Sequence, residues 1–311
     1  VLVLLVPGDQ VEGYTVRAHL GSGGSSEVYK VFNTAADRFE ALKILDADAT
    51  NVDAARSRFQ REFEIAQSLN HPNIVKMYRN GEFGRQVLGP RQTRSTLWMT
   101  MQYVEGTSGN ALIPHDHDQP HLPVILQVVR QIAAGLDYAH HMDVLHRDVK
   151  PSNVLIGHDS ALAAMLTDFG IARFLDDTRP VAQNGRVLGS LPYAAPEMLQ
   201  GQQLSAATDE YSFACSIVEL LTGRPPYPLA TSFAIVHAHI ASAPPALSSR
   251  RSWIPRSVDS IMSKALSKDP GQRYQTCSEL TDLILGVLHD ISVPAAPPRR
   301  GLWGRSKSRR G

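Results

Sequence analysis

Apolar residues fall into two regimes along the chain. Over the first hundred residues they alternate with polar ones or gather in short runs, as in Tyr14-Thr15-Val16, Glu27-Val28-Tyr29-Lys30-Val31 and Glu40-Ala41-Leu42-Lys43-Ile44-Leu45. Such runs predict strands. Residues 74–78 and 97–104 predict two more, and the polar, Gly-bearing run 81–94 between them predicts a long loop. One helix interrupts the series over 53–69, where Phe59, Phe63 and Ala66 keep helical spacing and Asn70-His71-Pro72 forms a stop. From Glu105 onward the pattern turns helical. Ile125, Val129, Ile132 and Leu136 describe one apolar helix face. Residues 209–222 are apolar almost all round, which predicts a helix buried in the middle of its lobe. Residues 257–267 and 276–290 predict two more helices, and there is no internal repeat.

The order of these segments divides the chain. Residues 1–11 form an N-terminal tail, 12–104 a strand-rich lobe, 105–290 a helical lobe, and 291–311 a Pro/Ala linker with a basic tail. The hinge falls near 102–106. The expected class is α+β, two lobes with a cleft between them, a common place for a ligand pocket.

With 43% apolar and 20% charged residues, the 311-residue chain has an ordinary globular composition. The net charge of +1 steers nothing by itself, but its distribution is uneven. Residues 299–311 carry Arg299, Arg300, Arg305, Lys307, Arg309 and Arg310 and no acid. Removing those six from 31 Lys and Arg, against 30 Asp and Glu, leaves −5 on the rest. Cys215 and Cys277 are the only cysteines, too few for a disulfide framework or a spaced zinc motif. No apolar run approaches the ~20 residues that span a bilayer. The chain starts at Val1 rather than Met, as a fragment or an unusual start codon would give.

The chemistry concentrates in residues 146–170. His146-Arg147-Asp148 is followed by Asn153 and then by Asp168-Phe169-Gly170. Asp148 can accept a proton, while Asn153 and Asp168 offer oxygen ligands to a hard cation such as Mg²⁺. Upstream, Gly21-Ser22-Gly23-Gly24-Ser25-Ser26-Glu27-Val28 lies between two predicted strands, where glycines let backbone amides approach phosphate oxygens. A strand follows this loop instead of a helix, so it is not a dinucleotide fingerprint.

Taken together and in order, these segments resemble the protein kinase family, over roughly residues 12–285. Gly23-Gly24-Ser25-Ser26-Glu27-Val28 and Leu69-Asn70-His71-Pro72 are closest in texture to the bacterial eukaryotic-like Ser/Thr kinases. The resemblance implies a bilobal protein-kinase-like fold, with a β-rich N-lobe and an α-helical C-lobe. It implies transfer of the ATP γ-phosphoryl group to Ser or Thr hydroxyls of protein substrates, with Mg²⁺. Asp148 is then the catalytic base, Lys150 sits by the γ-phosphate and marks the Ser/Thr branch, and Asn153 and Asp168 hold the metal. Lys43 holds the α- and β-phosphates, and Glu62 orients it. Gly21, Ser22, Gly23, Gly24, Val28, Ala41, Met101 as gatekeeper, the hinge residues Gln102 and Val104, and Leu155 line the nucleotide site. Glu197 of Ala195-Pro196-Glu197 pairs with Arg273, Asp209 binds backbone near His146-Arg147, and His146 and Phe169 are packing residues. Two departures stand out. Ser26 takes the place of the usual third Gly, and Tyr211 and Ala214 replace a Trp and a Gly.

Arg147 implies a docking point for a phosphorylated residue between Asp168 and Glu197. Thr178 is the leading candidate there, with Asp176 and Asp177 as acids that mimic a phosphate in the alternative reading. Ser190 reads as a structural contact. A pseudokinase scaffold is disfavoured by the full set of Lys43, Glu62, Asp148, Asn153 and Asp168. A small-molecule phosphotransferase is disfavoured by Lys150 and Ala195-Pro196-Glu197. No nucleic-acid partner is expected, and the family admits a homodimer paired through the front lobe. The basic tail reads either as a strip on anionic lipid or as a solvated end. The expected location is cytoplasmic, or membrane-anchored if the chain continues past residue 311.

Overall fold

The structure, a computed structural model, describes residues 5–23, 26–49, 52–89, 92–115, 118–158, 162–169, 182–183, 186–187 and 191–294. Gly24, Thr178, Ser190 and the basic tail lie outside the described residues.

The front third builds one antiparallel sheet from β1 (Gln10–Val11), β2 (Tyr14–Gly23), β3 (Ser26–Asn33), β4 (Arg38–Ala49), β5 (Met77–Gly89) and β6 (Gln92–Gln102), in the order β1-β2-β3-β4-β6-β5. Alternation along the strands sends side chains to two different cores. Tyr29, Val31, Leu42 and Ile44 join Tyr14, Val16 and Trp98 on the outer face. Ala41 and Leu45 face inward, where helix α1 (Val52–Ser68) adds Phe59, Phe63 and Ala66.

The predicted loop over 81–94 is instead strand. β5 continues to Gly89, and β6 starts at Gln92 and pairs with both β5 and β4, as far out as Ala49↔Thr93. The sequence over 81–94 offers no apolar alternation to read, yet backbone pairing satisfies the amides whatever the side chains are. Register shifts within 83–89 mark where the hairpin bends.

The rest is helical around a small sheet, β7 (Gly106–Ser108), β8 (Val154–Gly157) and β9 (Ala163–Leu166). Helix α2 (Leu122–His141) buries the predicted face of Ile125, Val129, Ile132 and Leu136. A two-stranded hairpin, β10 (Ala182–Gln183) with β11 (Arg186–Val187), precedes the short α3 (Pro196–Leu199). Helix α4 (Ala206–Thr222) is buried on nearly every side, opens on a Ser205–Thr208 capping box, and stops at Gly223 with φ 84°. It is followed by α5 (Ser232–Ala241), α6 (Leu247–Arg250), α7 (Arg256–Ala265) and α8 (Cys277–Leu288).

Backbone joins the lobes at two places among the described residues. One is the hinge after β6. The other is a parallel bridge between Ile74 and Leu166, in which Val75 N donates to Leu166 O and Leu166 N donates to Asn73 O, both at 2.8 Å. The Asn73 side chain adds a bond to Ala164 O at 2.8 Å. Among the described residues no helix is long and apolar enough to cross a membrane.

Candidate active site

Asp209 organises the loop that carries Asp148. Its carboxylate is fully buried at the start of α4 and accepts from His146 N and Arg147 N, each at 2.7 Å, and from His140 Nε2 at 2.9 Å. Burial pushes this carboxyl up, but the His140 bond and charge, with the loop amides, outweigh it and leave the pKa low. The grip has something to hold against. Arg147 has φ 66°, a left-handed conformation that costs a non-glycine residue about 1–2 kcal/mol.

His146 is committed to architecture. Its Nε2 faces Thr167 O at 3.0 Å, so that nitrogen donates, while Nδ1 accepts from Asp148 N at 3.3 Å. The ring packs 4.5 Å from Phe169 and is fully buried. Burial holds its pKa below the ordinary histidine value. Neither ring nitrogen is left to carry a proton for chemistry.

Around Asp148 the polar groups converge. Lys150 Nζ donates to Asp148 Oδ2 at 2.7 Å, and Asn153 Nδ2 donates to the same oxygen at 3.0 Å and to Asp148 O at 2.9 Å. With its amide nitrogen so engaged, Asn153 keeps Oδ1 without a hydrogen bond among the described residues, as an oxygen ligand able to serve a cation. Thr167 N, next to Asp168, donates to Asn153 O at 3.0 Å and so ties the two segments together.

Asp168 is the second residue held left-handed, again at φ 66°. Its Oδ1 takes the Lys43 ammonium at 2.7 Å. The expected partnership of Lys43 with Glu62 is not formed. Among the described residues no hydrogen bond or ion pair joins them, and Glu62 sits half-buried on α1. Ala41 and Met101 are buried near Lys43 on the same sheet, opposite one another in the β4–β6 register, and Thr167 Oγ1 approaches Met101 Sδ at 3.7 Å.

The glycine hairpin is joined to Lys43 through the sheet, since Val28 pairs with Gly21 on one side and Lys43 on the other. Gly21 pairs with Val28, Ser22 with Glu27 and Gly23 with Ser26. Ser22 Oγ donates to Glu27 Oε2 at 2.9 Å, and His19 Nε2 reaches the same oxygen at 2.6 Å. A Cβ at Gly21 would meet no protein atom within 4 Å, so packing does not demand a glycine there. At the hinge, Gln102 N is taken by Lys76 O at 2.8 Å, which leaves Tyr103 and Val104 as the two hinge residues whose backbone makes no such bond among the described residues. Gly106 follows, where a Cβ would lie 1.8 Å from Ile156 O, so only glycine lets β7 close on β8. Leu155 is half-buried on β8, opposite Ser108 and Met165.

Beyond the cleft, Arg273 grips Glu197 in a bidentate pair at 2.8 and 2.9 Å, as the sequence implied. Asp137, His140 and Cys277 come together closely enough to suggest a metal cluster. Their donors have other work: Asp137 accepts Cys277 N at 2.8 Å and Ser278 N at 2.9 Å, capping α8, and His140 holds Asp209. Sequence reading missed both the capping role of Asp137 and the support from His140, because each partner lies far away along the chain.

The family model of the protein kinase domain matches residues 14–283. This chain belongs to the protein kinase family. It is 36% identical over 315 residues to the serine/threonine-protein kinase PknF of Mycobacterium tuberculosis strain H37Rv, a match covering 96% of this chain and 63% of that protein. It is 34% identical over 294 residues to PknB of Mycobacterium leprae, covering 94% of this chain and 46% of that protein. Among solved structures, the kinase domain of Mycobacterium tuberculosis PknI superposes with a TM-score of 0.68 at 30% identity, covering 91% of this chain and 99% of that domain. The chain thus spans less than two thirds of the length of these curated relatives. Kinases of this family use ATP and Mg²⁺, and the oxygens of Asn153 and Asp168 suit a hard cation.

Proposed function

We propose that this kinase transfers the γ-phosphoryl group of ATP to Ser or Thr hydroxyls of protein substrates. The observation that carries the reading is the single bonded group formed by Lys43, Asp168, Asn153, Asp148 and Lys150, drawn from both lobes onto one cleft.

In this reading Asp148 Oδ2 orients the substrate hydroxyl and takes its proton. Lys150, 2.7 Å from that oxygen, keeps the carboxylate in place and meets the transferred phosphoryl oxygens. Lys43 passes from Asp168 to the α- and β-phosphates. Asn153 Oδ1 and the Asp168 carboxylate would hold Mg²⁺, which neutralises charge on the phosphate oxygens when bound. Gly21, Ser22, Gly23 and Gly24 cover the phosphates, and the open space over Gly21 supports that role. Val28, Ala41, Met101 and Leu155 pack on adenine, and Val104 offers its backbone. Little covalent help is needed, so positioning and charge carry the rate.

Arg147 Nε is buried without a hydrogen-bond partner among the described residues, which supports a phosphate on Thr178 as its partner. Two expectations from the sequence go with this reading: a homodimer, and for residues 299–311 either a strip on anionic lipid or a solvated end. Light scattering tests the first, and vesicle sedimentation with and without the tail tests the second. The transfer itself is tested by radiolabelled phosphate incorporation into a generic protein such as myelin basic protein. Incorporation that needs both ATP and Mg²⁺ supports the reading, and none under any divalent ion sinks it.

A further inference from the structure

A ladder of cations and rings crosses the front sheet and ends at the hinge. Arg17 of β2 lies 5.7 Å from the ring of Phe32 on β3, and Phe32 meets Phe39 of β4 edge-on at 5.3 Å. The Lys30 ammonium then sits between two ring faces, 4.4 Å from Phe39 and 4.3 Å from Tyr103, which follows β6 in the hinge. Lys30 is paired with Ala41 in the sheet, and Phe32 with Phe39. By strand alternation, Lys30, Phe32 and Phe39 share the face of Val28, Ala41 and Lys43. The ladder therefore borders the nucleotide cleft from outside. Burial does not explain it, because Phe39 keeps 46% of its surface exposed and is held by ring and charge contacts instead.

Resting on the function proposed above, we infer that Lys30 is a positioning residue for ATP, acting through Tyr103. β3 carries the glycine hairpin at its start and Lys30 near its middle. A cation held between a β4 ring and a hinge ring ties the roof of the cleft to the backbone at 102–104. That fixes the distance between the hairpin that covers phosphate and the hinge amide that meets adenine. Lys30 needs no contact with nucleotide to do this. It sets β3 and its glycine hairpin against the hinge backbone, so its loss falls on nucleotide binding and not on the transfer step.

The test is a set of variants, Lys30→Met, Lys30→Arg, Phe39→Leu and Lys30→Met with Phe39→Leu. Each is assayed for KM and kcat with ATP, for binding of a fluorescent ATP analogue, and for thermal midpoint. Two cation–ring contacts at a partly exposed site predict a rise of about fivefold in KM for ATP in Lys30→Met, with kcat within about twofold. Arginine restores the wild-type value, because it keeps the charge over both rings. Phe39→Leu raises KM by less, and adds nothing on top of Lys30→Met. Wild-type KM in Lys30→Met overturns the inference. So does a loss that arginine does not repair, or one that Phe39→Leu does not share, since both point to direct contact with the nucleotide. A wild-type chain that binds no ATP overturns the proposed function as well; one that binds ATP with Lys30 indifferent overturns this inference alone.

Discussion

Lys43 Nζ stands 2.7 Å from Asp168 Oδ1, a contact that spans 125 residues of sequence and joins the two lobes. Burial pushes the Asp168 carboxyl up, but the charge and bond of Lys43, with His146 and Lys150 behind them, overcome it and leave the pKa low. Asp168 therefore stays ionised throughout the neutral range. In the proposed reading, phosphate and metal would engage Asp168, and Glu62 would then be the acid that pairs with Lys43. Lys43→Met should lower kcat/KM by about 10²–10³-fold, the usual loss for one preorganised charge. Glu62→Gln should cost about tenfold, or ~1.4 kcal/mol. Steady-state kinetics over ATP concentration reads both. Wild-type kinetics in Glu62→Gln means that the Asp168 pairing is the working one.

Asp148 shares one oxygen between Lys150 and Asn153. An amide at this position keeps the shape but cannot take the substrate proton. Asp148→Asn should reduce kcat by about 10²–10⁴-fold and leave ATP binding near wild type. Single-turnover transfer together with nucleotide titration separates the two effects. Comparable turnover in the variant contradicts the role of Asp148.

How far this site was readable follows from what sequence encodes. Lys43, Asp148, Asn153 and Asp168 declared themselves because order and spacing along the chain are what a motif is. The α2 face and the buried α4 were readable from periodicity alone. The outer part of the β5–β6 hairpin was not, since the sequence over 81–94 carries no apolar alternation and the strands there are recognised by their backbone pairing. The short hairpin of β10 and β11 did carry a signal, the Asn184-Gly185 dipeptide between them, which favours a two-residue turn. The choice of Lys43 between Asp168 and Glu62 lay beyond any pattern, because it depends on how α1 and the Asp168 segment sit against β4 in three dimensions.

Glu197 and Arg273 are both buried, with side-chain exposures of 2% and 0%. Removing one partner leaves an unpaired buried charge, so Glu197→Ala should destabilise the fold by about 3–5 kcal/mol in urea or guanidinium titrations. The pH dependence follows from the same bonds. Burial raises the carboxyl pKa of both Glu197 and Asp209, but Arg273 in one case and His140 in the other bring it below the ordinary value. Their contribution is complete above the unfolded carboxyl range near pH ~4 and is lost as pH falls through the lower folded values. Stability should therefore drop on acidification below about pH 4, and Glu197→Gln should show a shallower drop than wild type. Equal slopes would remove Glu197 from the acid transition.

Glu210, the next residue after Asp209, behaves in the opposite sense. It is 2% exposed, and among the described residues neither carboxyl oxygen has a well-formed hydrogen bond. Burial raises its pKa to about 8, and the nearby Arg273 charge and Tyr274 backbone do not offset this. The folded chain keeps a proton there that the unfolded chain releases near pH ~4.3. The stability that Glu210 contributes is thus whole below the unfolded value and declines as pH rises toward about 8. Each unit of that displacement is worth about 1.4 kcal/mol, so the decline should be visible in thermal melts between pH ~5 and ~8. Glu210→Gln has nearly the same shape and no proton to lose. Its melting temperature should match wild type near pH 4.5 and exceed it increasingly toward pH 8.5. Parallel curves across that range would mean that the proton is not held by Glu210.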